Sequence, residues 1–125
     1  MGRNIGLITG AASGIGLKTA KRLLKKGWEI YGLDNDKNGL EQSSKEIDDS
    51  KYITKPCDLR SEEALKKIFA EIQKNQQKIN ALIACAGVLK LGTLEDMSTE
   101  DFDAVFDINV RGLWLSAREA LPSLK

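Results

Sequence analysis

The sequence predicts an α/β fold built on a parallel sheet, and three observations lead to this class. Short apolar segments alternate with longer segments whose apolar residues recur at helical spacing. A glycine-rich run, Gly10 to Gly16, directly follows the first apolar segment. A later segment, Ile79 to Cys85, is apolar almost throughout, which is typical of a parallel strand buried on both faces. The length of 125 residues suits one small domain.

The first strand is predicted over Asn4 to Thr9, which is mostly apolar. The helix after the glycine run carries lysines on one side. Its other side carries apolar residues at helical spacing, namely Ile15, Leu17, Ala20, Leu23 and Leu24. Gly27 stands where a glycine commonly ends a helix.

Two further strands and two helices follow. Trp28 to Leu33 predicts the second strand, and Asn38 to Ile47 predicts a weaker helix. Lys51 to Pro56 predicts the third strand. Ser61 can cap the next helix, whose apolar face is formed by Ala64, Leu65, Ile68, Phe69 and Ile72.

The last part of the sequence predicts the fourth strand over Ile79 to Cys85, then a loop from Ala86 to Met97 and a final helix. Ser98 opens this helix, and Asp101 stands at the capping-box distance. The helix runs toward Pro122 with apolar residues Phe102, Val105, Phe106, Val110 and Leu113.

Composition and charge exclude several classes of function. The formal net charge is +1 without a basic block, which argues against nucleic-acid binding. No apolar run is long enough to span a bilayer and the N-terminus is not a signal peptide, so a cytoplasmic location is expected. The sequence has no histidine, which removes Ser-His-Asp triads and His-Glu-x-x-His metal sites. Cys57 and Cys85 are well separated, and we expect small, reduced core residues rather than metal ligands.

The strongest chemical signal is the run T-G-A-A-S-G-I-G over residues 9–16, placed between a strand and a helix. Such a turn lets the backbone approach a diphosphate, and the helix N-terminus offers unpaired N–H groups and a positive dipole end. Gly16 is expected to let helix and strand pack closely. No Gly-Lys-Ser/Thr follows, so a Walker A motif is excluded. We predict a dinucleotide phosphate site, and a purely structural tight turn is the alternative.

Asp34 is the second signal, because it follows the second strand at the distance that a dinucleotide-binding motif requires. A carboxylate there can accept hydrogen bonds from both hydroxyls of an adenosine ribose and would repel a 2′-phosphate. No Lys or Arg at positions 11–13 or 35–36 could hold that phosphate, so NAD is favoured over NADP. The alternative is that Asp34 only begins a turn with Asn35 and Asp36.

Four motifs in order then resemble the short-chain dehydrogenase/reductase family. Residues 9–16 are similar to its T-G-x-x-x-G-I-G, and Asp58-Leu59 resembles the Asp-apolar pair that contacts adenine. Residues 84–87, A-C-A-G, resemble its N-N-A-G segment. Residues 109–112, N-V-R-G, resemble its N-V-x-G, whose asparagine belongs to the catalytic tetrad.

The resemblance implies a Rossmann-type doubly wound parallel sheet of about four strands in the order 3-2-1-4. It implies an NAD(P)-dependent oxidoreductase that transfers hydride between nicotinamide and an alcohol or carbonyl substrate, and a homo-oligomer. The implied catalytic residue is Asn109. The implied cofactor-binding residues are Thr9, Gly10, Ser13, Gly14, Ile15, Gly16, Asp34, Asp58, Leu59, Ala86 and Gly87.

The sequence departs from the family pattern in two ways. Ala84 and Cys85 replace two asparagines, so side-chain hydrogen bonds there are not expected. The family's Tyr-x-x-x-Lys is missing, because Tyr31 and Tyr52 are the only tyrosines and neither has a lysine four residues later. We therefore expect residues 1–125 to be the N-terminal portion of an NAD(P)-binding domain that is inactive alone. A non-catalytic dinucleotide-binding module is the alternative.

Two features of the end of the chain complete these expectations. Ala81 to Ala84 is expected to form an open apolar edge of the sheet. Leu113, Trp114 and Leu115 in succession give more apolar surface than one core-facing stripe. Part of that surface is expected to meet another subunit or a further part of the protein.

Overall fold

A computed structural model describes residues 4–75 and 78–124. Four parallel strands form one sheet: β1 (Ile5–Thr9), β2 (Glu29–Asp34), β3 (Tyr52–Pro56) and β4 (Ala81–Ala84). Their spatial order is β3-β2-β1-β4. The predicted fold class and strand order are therefore confirmed.

Helices cover both faces of the sheet. They are α1 (Gly14–Lys25), α2 (Lys37–Ile47), α3 (Glu62–Asn75), α4 (Thr99–Phe106), a π-helical segment (Asp107–Gly112, the π segment) and α5 (Leu113–Leu124). One core lies between the sheet and α1 with α2, where Ile8 and Ile30 meet Leu24 and Leu40. The second core lies on the opposite face and contains Leu7, Leu33, Leu65, Phe69, Ile72 and Leu115. No helix among residues 4–75 and 78–124 is both long and apolar enough to cross a membrane.

The register brings the carboxyl ends of the four strands together at one end of the sheet. Thr9 of β1 is level with Leu33 of β2 and Ala84 of β4. Asp34 of β2 is level with Pro56 of β3. All five residues of β1 are buried, because β1 has a strand on each side and helices over both faces. The loops that follow all four strands therefore surround one region.

The expectation that Ile79 to Cys85 forms a strand buried on both faces is wrong. β4 is shorter, and its residues are half-buried up to Ile83 and exposed at Ala84. In the described part of the chain β4 pairs with β1 alone, so it is an edge strand as the open-edge prediction required.

The predicted caps at Ser61 and Ser98 are present. The Ser61 hydroxyl accepts a hydrogen bond from the Ala64 N–H at 3.1 Å, and that of Ser98 accepts from the Asp101 N–H at 3.0 Å. The single final helix that the sequence predicts is instead interrupted by the π segment. In α5, Leu115 is fully buried whereas Leu113 and Trp114 stay about half exposed, as their succession suggested.

Candidate functional site

A cleft of about 480 Å³ opens at the carboxyl ends of the strands. Ten of the eleven predicted cofactor-binding residues line it, and Thr9 is the exception. The remaining lining residues are Asn35, Asp36, Cys57, Cys85, Val88 and Ile108. The fold therefore collects motifs that are scattered along the sequence into one concave surface, where doubly wound sheets usually bind ligands.

The glycine-rich run of residues 10–16, called the glycine turn below, packs directly against the loop that follows β4. Gly10 has a φ of +74°, and a Cβ there would lie 2.7 Å from the Ala86 backbone nitrogen. A side chain at position 10 would thus meet both backbone strain and a clash. The Thr9 hydroxyl reinforces the contact by accepting a hydrogen bond from the Ala86 N–H at 3.3 Å. Thr9 is buried beneath the cleft, so it supports the lining residues from below.

The first turn of α1 faces the cleft with its backbone exposed. Gly14 has a φ of +58°, and nothing lies within 4 Å of the place where its Cβ would be. The N-cap residue Ser13 makes no side-chain capping hydrogen bond. The first N–H groups of α1 therefore keep their capacity to donate, which is the arrangement that binds anions at helix N-termini.

Gly16 has a different role from the one expected for it. A Cβ at this position would strike the carbonyl oxygen of Gly10, so the restriction comes from within the glycine turn. The expected close packing of helix on strand is not what limits this position. The turn is compact because Gly16 lets the start of α1 fold back over Gly10.

Asp34 ends β2 and points its carboxylate between two loops. Its Oδ2 accepts a hydrogen bond from the Ala12 N–H at 3.0 Å, and its Oδ1 accepts from the Asp36 N–H at 3.0 Å. The residue is half-buried on the cleft wall. Asp34 does begin a turn with Asp36, as the structural alternative stated, and it lines the cleft as well.

Asp58 is held by Arg60, a residue that the sequence patterns did not single out. The Arg60 guanidinium donates to both carboxylate oxygens, with Nε 3.0 Å from Oδ1 and Nη2 2.8 Å from Oδ2. The Arg60 backbone N–H also donates to Oδ1 at 3.0 Å. The side-chain hydrogen bond from Arg60 is the main reason that the pKa of Asp58 lies below its ordinary value. The Asp-x-Arg spacing after β3 was the signal available in the sequence.

Asn109 does not line the cleft but holds a residue that does. Its Oδ1 accepts a hydrogen bond from the Val88 N–H, and its Nδ2 donates to the Val88 carbonyl oxygen. Asn109 lies in the π segment, and its neighbour Ile108 reaches the cleft wall. The catalytic role predicted for Asn109 stays a prediction.

Both cysteines are free thiols on the cleft wall. Cys57 is buried, as expected for a small core residue, and Cys85 is half-buried. Burial, followed by the charge of Asp58, raises the pKa of the Cys57 thiol to about 11. Cys57 is therefore uncharged near neutral pH and a poor nucleophile.

Residues 4–125 match the family model of the short chain dehydrogenases. The chain is 34% identical over 116 residues to the 2,3-dihydro-2,3-dihydroxybenzoate dehydrogenase of Bacillus subtilis (strain 168), covering 91% of this chain and 44% of that protein. It spans about half the length of the curated relatives that it matches.

Solved structures agree with this match. The 3-ketoacyl-(acyl-carrier-protein) reductase from Brucella melitensis complexed with NADH has a TM-score of 0.89 and 31% identity, covering 96% of this chain and 49% of that one. An actinorhodin polyketide ketoreductase with NADPH has a TM-score of 0.90 and 26% identity, covering 97% of this chain and 47% of that one. The strand order, the cleft and these matches lead to one conclusion: the chain belongs to the short-chain dehydrogenase family.

Proposed function

We propose that this chain supplies the dinucleotide-binding part of an NAD(P)-dependent oxidoreductase that transfers hydride between nicotinamide and an alcohol or carbonyl substrate. In this proposal residues 1–125 form the N-terminal portion of the NAD(P)-binding domain. The observation that carries it is the single cleft in which an open glycine turn and the Asp34 carboxylate lie on neighbouring strands. The cofactor would supply the hydride chemistry, and the protein would supply binding and orientation.

The residues of the cleft fit a dinucleotide in an extended arrangement. The first turn of α1, which no side chain of Ser13 caps, suits the diphosphate, and the Asp34 oxygens suit the hydroxyls of the adenosine ribose. Asp58 and Leu59 lie after β3, where the adenine would be held. Ala86 and Gly87 lie after β4, where close backbone approach suits the ribose on the nicotinamide side.

We propose NAD rather than NADP as the cofactor. Asp34 and Asp36 both line the cleft beyond β2, so a 2′-phosphate placed there would meet two carboxylates. Among the similar structures, one was solved with NADH and another with NADPH, so the family accommodates both cofactors. The carboxylate at position 34 is therefore the feature on which this preference depends.

We propose that the chain has no turnover by itself. The two tyrosines of the sequence are both buried in the sheet, Tyr31 with a relative exposure of 3% and Tyr52 with one of 5%. The Tyr52 hydroxyl lies 3.0 Å from the Ser43 hydroxyl under α2, and burial raises the pKa of Tyr52. Neither phenol lines the cleft, so neither can give a proton to a substrate bound there, and we assign the proton donor to residues outside 1–125.

The absence of both tyrosine side chains from the cleft also favours a second candidate function, a non-catalytic dinucleotide-binding module. Both candidates require the chain to bind cofactor, and they differ in turnover. Hydride transfer measured with the chain alone would contradict the assignment of the proton donor to other sequence. Catalysis by a longer form of the protein would exclude the non-catalytic module.

A thermal shift titration with NADH and NADPH tests the shared part of the proposal. Ligand at a hundred times its dissociation constant should stabilise the fold by about 2.7 kcal/mol. We expect NADH to raise the unfolding midpoint more than NADPH at equal concentration. A larger effect of NADPH would reverse the cofactor assignment, and no effect of either would contradict dinucleotide binding by this chain.

A further inference from the structure

We propose that Asp34 is a positioning residue for the diphosphate-binding turn, in addition to its expected contact with the ribose. This inference rests on the proposed dinucleotide site. It starts from the 3.0 Å hydrogen bond between the Ala12 N–H and Asp34 Oδ2, which links the glycine turn to a side chain of the next strand.

The glycine turn is attached to the end of β2 by three successive backbone N–H groups. Those of Gly10 and Ala11 donate to the Leu33 carbonyl oxygen at 2.8 Å and 3.1 Å. The third, that of Ala12, donates to the Asp34 carboxylate. Ala12 is the last of the three before Ser13 and the free N–H groups of α1, so its bond fixes the direction in which the chain enters the helix.

The other oxygen of the same carboxylate is attached to the next loop. Asp34 Oδ1 accepts from the Asp36 N–H, and Asp36 Oδ1 accepts from the Gly39 N–H at 2.9 Å in the first turn of α2. One carboxylate thereby joins the loop after β1 to the loop after β2. Removing it would release the Ala12 N–H and leave the glycine turn bonded to the end of β2 only through the Leu33 carbonyl oxygen.

The charge of Asp34 and its hydrogen bonds have opposite effects on an anionic ligand. A negative charge beside the cleft repels a diphosphate, so the loss of charge alone would strengthen diphosphate binding. Loss of the hydrogen bond to Ala12 would loosen the turn and weaken diphosphate binding. A ligand without ribose hydroxyls isolates these two effects from the contact with the ribose.

The test measures binding of ADP and of 2′,3′-dideoxy-ADP by calorimetry to the wild-type chain, Asp34→Ala and Asp34→Asn. We expect Asp34→Ala to bind dideoxy-ADP about 3- to 10-fold more weakly than Asp34→Asn, the scale of one ordinary hydrogen bond, because both variants lack the charge and only Asp34→Asn keeps an acceptor. Asp34→Asn retains an acceptor oxygen without the charge, so it should bind dideoxy-ADP at least as tightly as the wild type. This rescue by the conservative variant would not follow from the ribose contact alone.

Asp49→Ala is the matched control. The Asp49 carboxylate also accepts a hydrogen bond from a backbone N–H two residues later, that of Lys51 at 2.9 Å. Asp49 precedes β3 and so lies at the amino ends of the strands, whereas the cleft lies at their carboxyl ends. This variant should leave the affinity for dideoxy-ADP unchanged.

Each contrary outcome has a distinct meaning. If Asp34→Ala binds dideoxy-ADP as tightly as Asp34→Asn or more tightly, the positioning role is overturned while the dinucleotide site stands. If the wild-type chain binds neither nucleotide, the proposed site is overturned and this inference with it.

Amide hydrogen exchange of the wild-type chain provides a second measurement that needs no variant. The Ala12 N–H should exchange slowly, as should the Gly10 N–H, because both are bonded to the end of β2. Exchange of Ala12 at the rate of an unstructured peptide would overturn the positioning role even if Asp34→Ala did not fold.

Discussion

The side-chain amide of Asn109 forms two hydrogen bonds with the backbone of Val88. Its Oδ1 lies 2.8 Å from the Val88 nitrogen, and its Nδ2 lies 2.9 Å from the Val88 carbonyl oxygen. The pairing joins the π segment to the loop after β4 across 21 positions of sequence. Asn109 therefore shapes the cleft through Val88, whatever it contributes to chemistry.

Replacing Asn109 with alanine should lower the free energy of unfolding by about 1–3 kcal/mol, because the half-buried backbone groups of Val88 lose their partner. Urea denaturation of the variant measures the effect. Asn38→Ala is the control, since Asn38 is exposed on α2 and should change stability by no more than about 0.5 kcal/mol. Equal effects of the two substitutions would contradict the prediction.

Gly10→Ala should destabilise the fold more than Gly27→Ala. Both glycines have positive φ, +74° and +90°, so an added methyl group costs about 1–2 kcal/mol of backbone strain at each. Only at position 10 would the methyl also overlap the backbone at Ala86, whereas position 27 has open space. Thermal and urea unfolding of the two variants compare the costs, and a similar loss in both would show that the loops do not touch as described.

Arg60→Gln should make the fold less stable near neutral pH and equally stable in strong acid. The pKa of Asp58 is lowered mainly by its hydrogen bond to Arg60, so the stabilisation exists above the ordinary carboxyl pKa of 3.8. It is lost as the pH falls through the still lower pKa of the folded state. Unfolding at pH 7 and at about pH 2 should show the difference only at the higher pH.

Arg60→Gln should also raise the pKa of Asp58 toward its ordinary value, which an NMR titration of the Asp58 carboxyl carbon would measure. Arg22→Gln, at an exposed position of α1, is the control and should leave that titration unchanged. If the Asp58 titration did not change in Arg60→Gln, the ion pair with Arg60 would not be the cause of the lowered pKa of Asp58.

Iodoacetamide should modify Cys85 faster than Cys57 in the folded chain. The Cys57 thiol is buried and its pKa is raised to about 11, so little thiolate is present at mildly alkaline pH. Cys85 is only half-buried. Mass spectrometry of the alkylated peptides measures both rates, and urea should make them similar. Faster modification of Cys57 in the folded state would contradict the burial described for it.

The sequence predicted the sheet well because local patterns and chain order determine it. The four strands appear in the predicted order, and their ends moved by two residues or fewer. The glycine turn and Asp34 could be placed for the same reason, since the ends of parallel strands meet at one edge.

Two of the three features that were missed depend on contacts between residues distant in the sequence. The π segment interrupts a helix whose amphipathic pattern is continuous, and Asn109 in that segment is bonded to Val88. The bond between Ala12 and Asp34 spans 22 positions. The ion pair of Asp58 with Arg60 is local, but an exposed arginine near a carboxylate is common and often contributes little.

The direct contact of Gly10 with Ala86 has a consequence for the shape of the cleft. No side chain separates the two loops, so their distance is fixed by the spacing of adjacent hydrogen-bonded strands, about 4.8 Å. Substitutions elsewhere on the cleft wall can therefore change its polarity or its depth without altering its width at this point. The backbone therefore sets the width of the cleft between these two loops, and side chains set the rest of its lining.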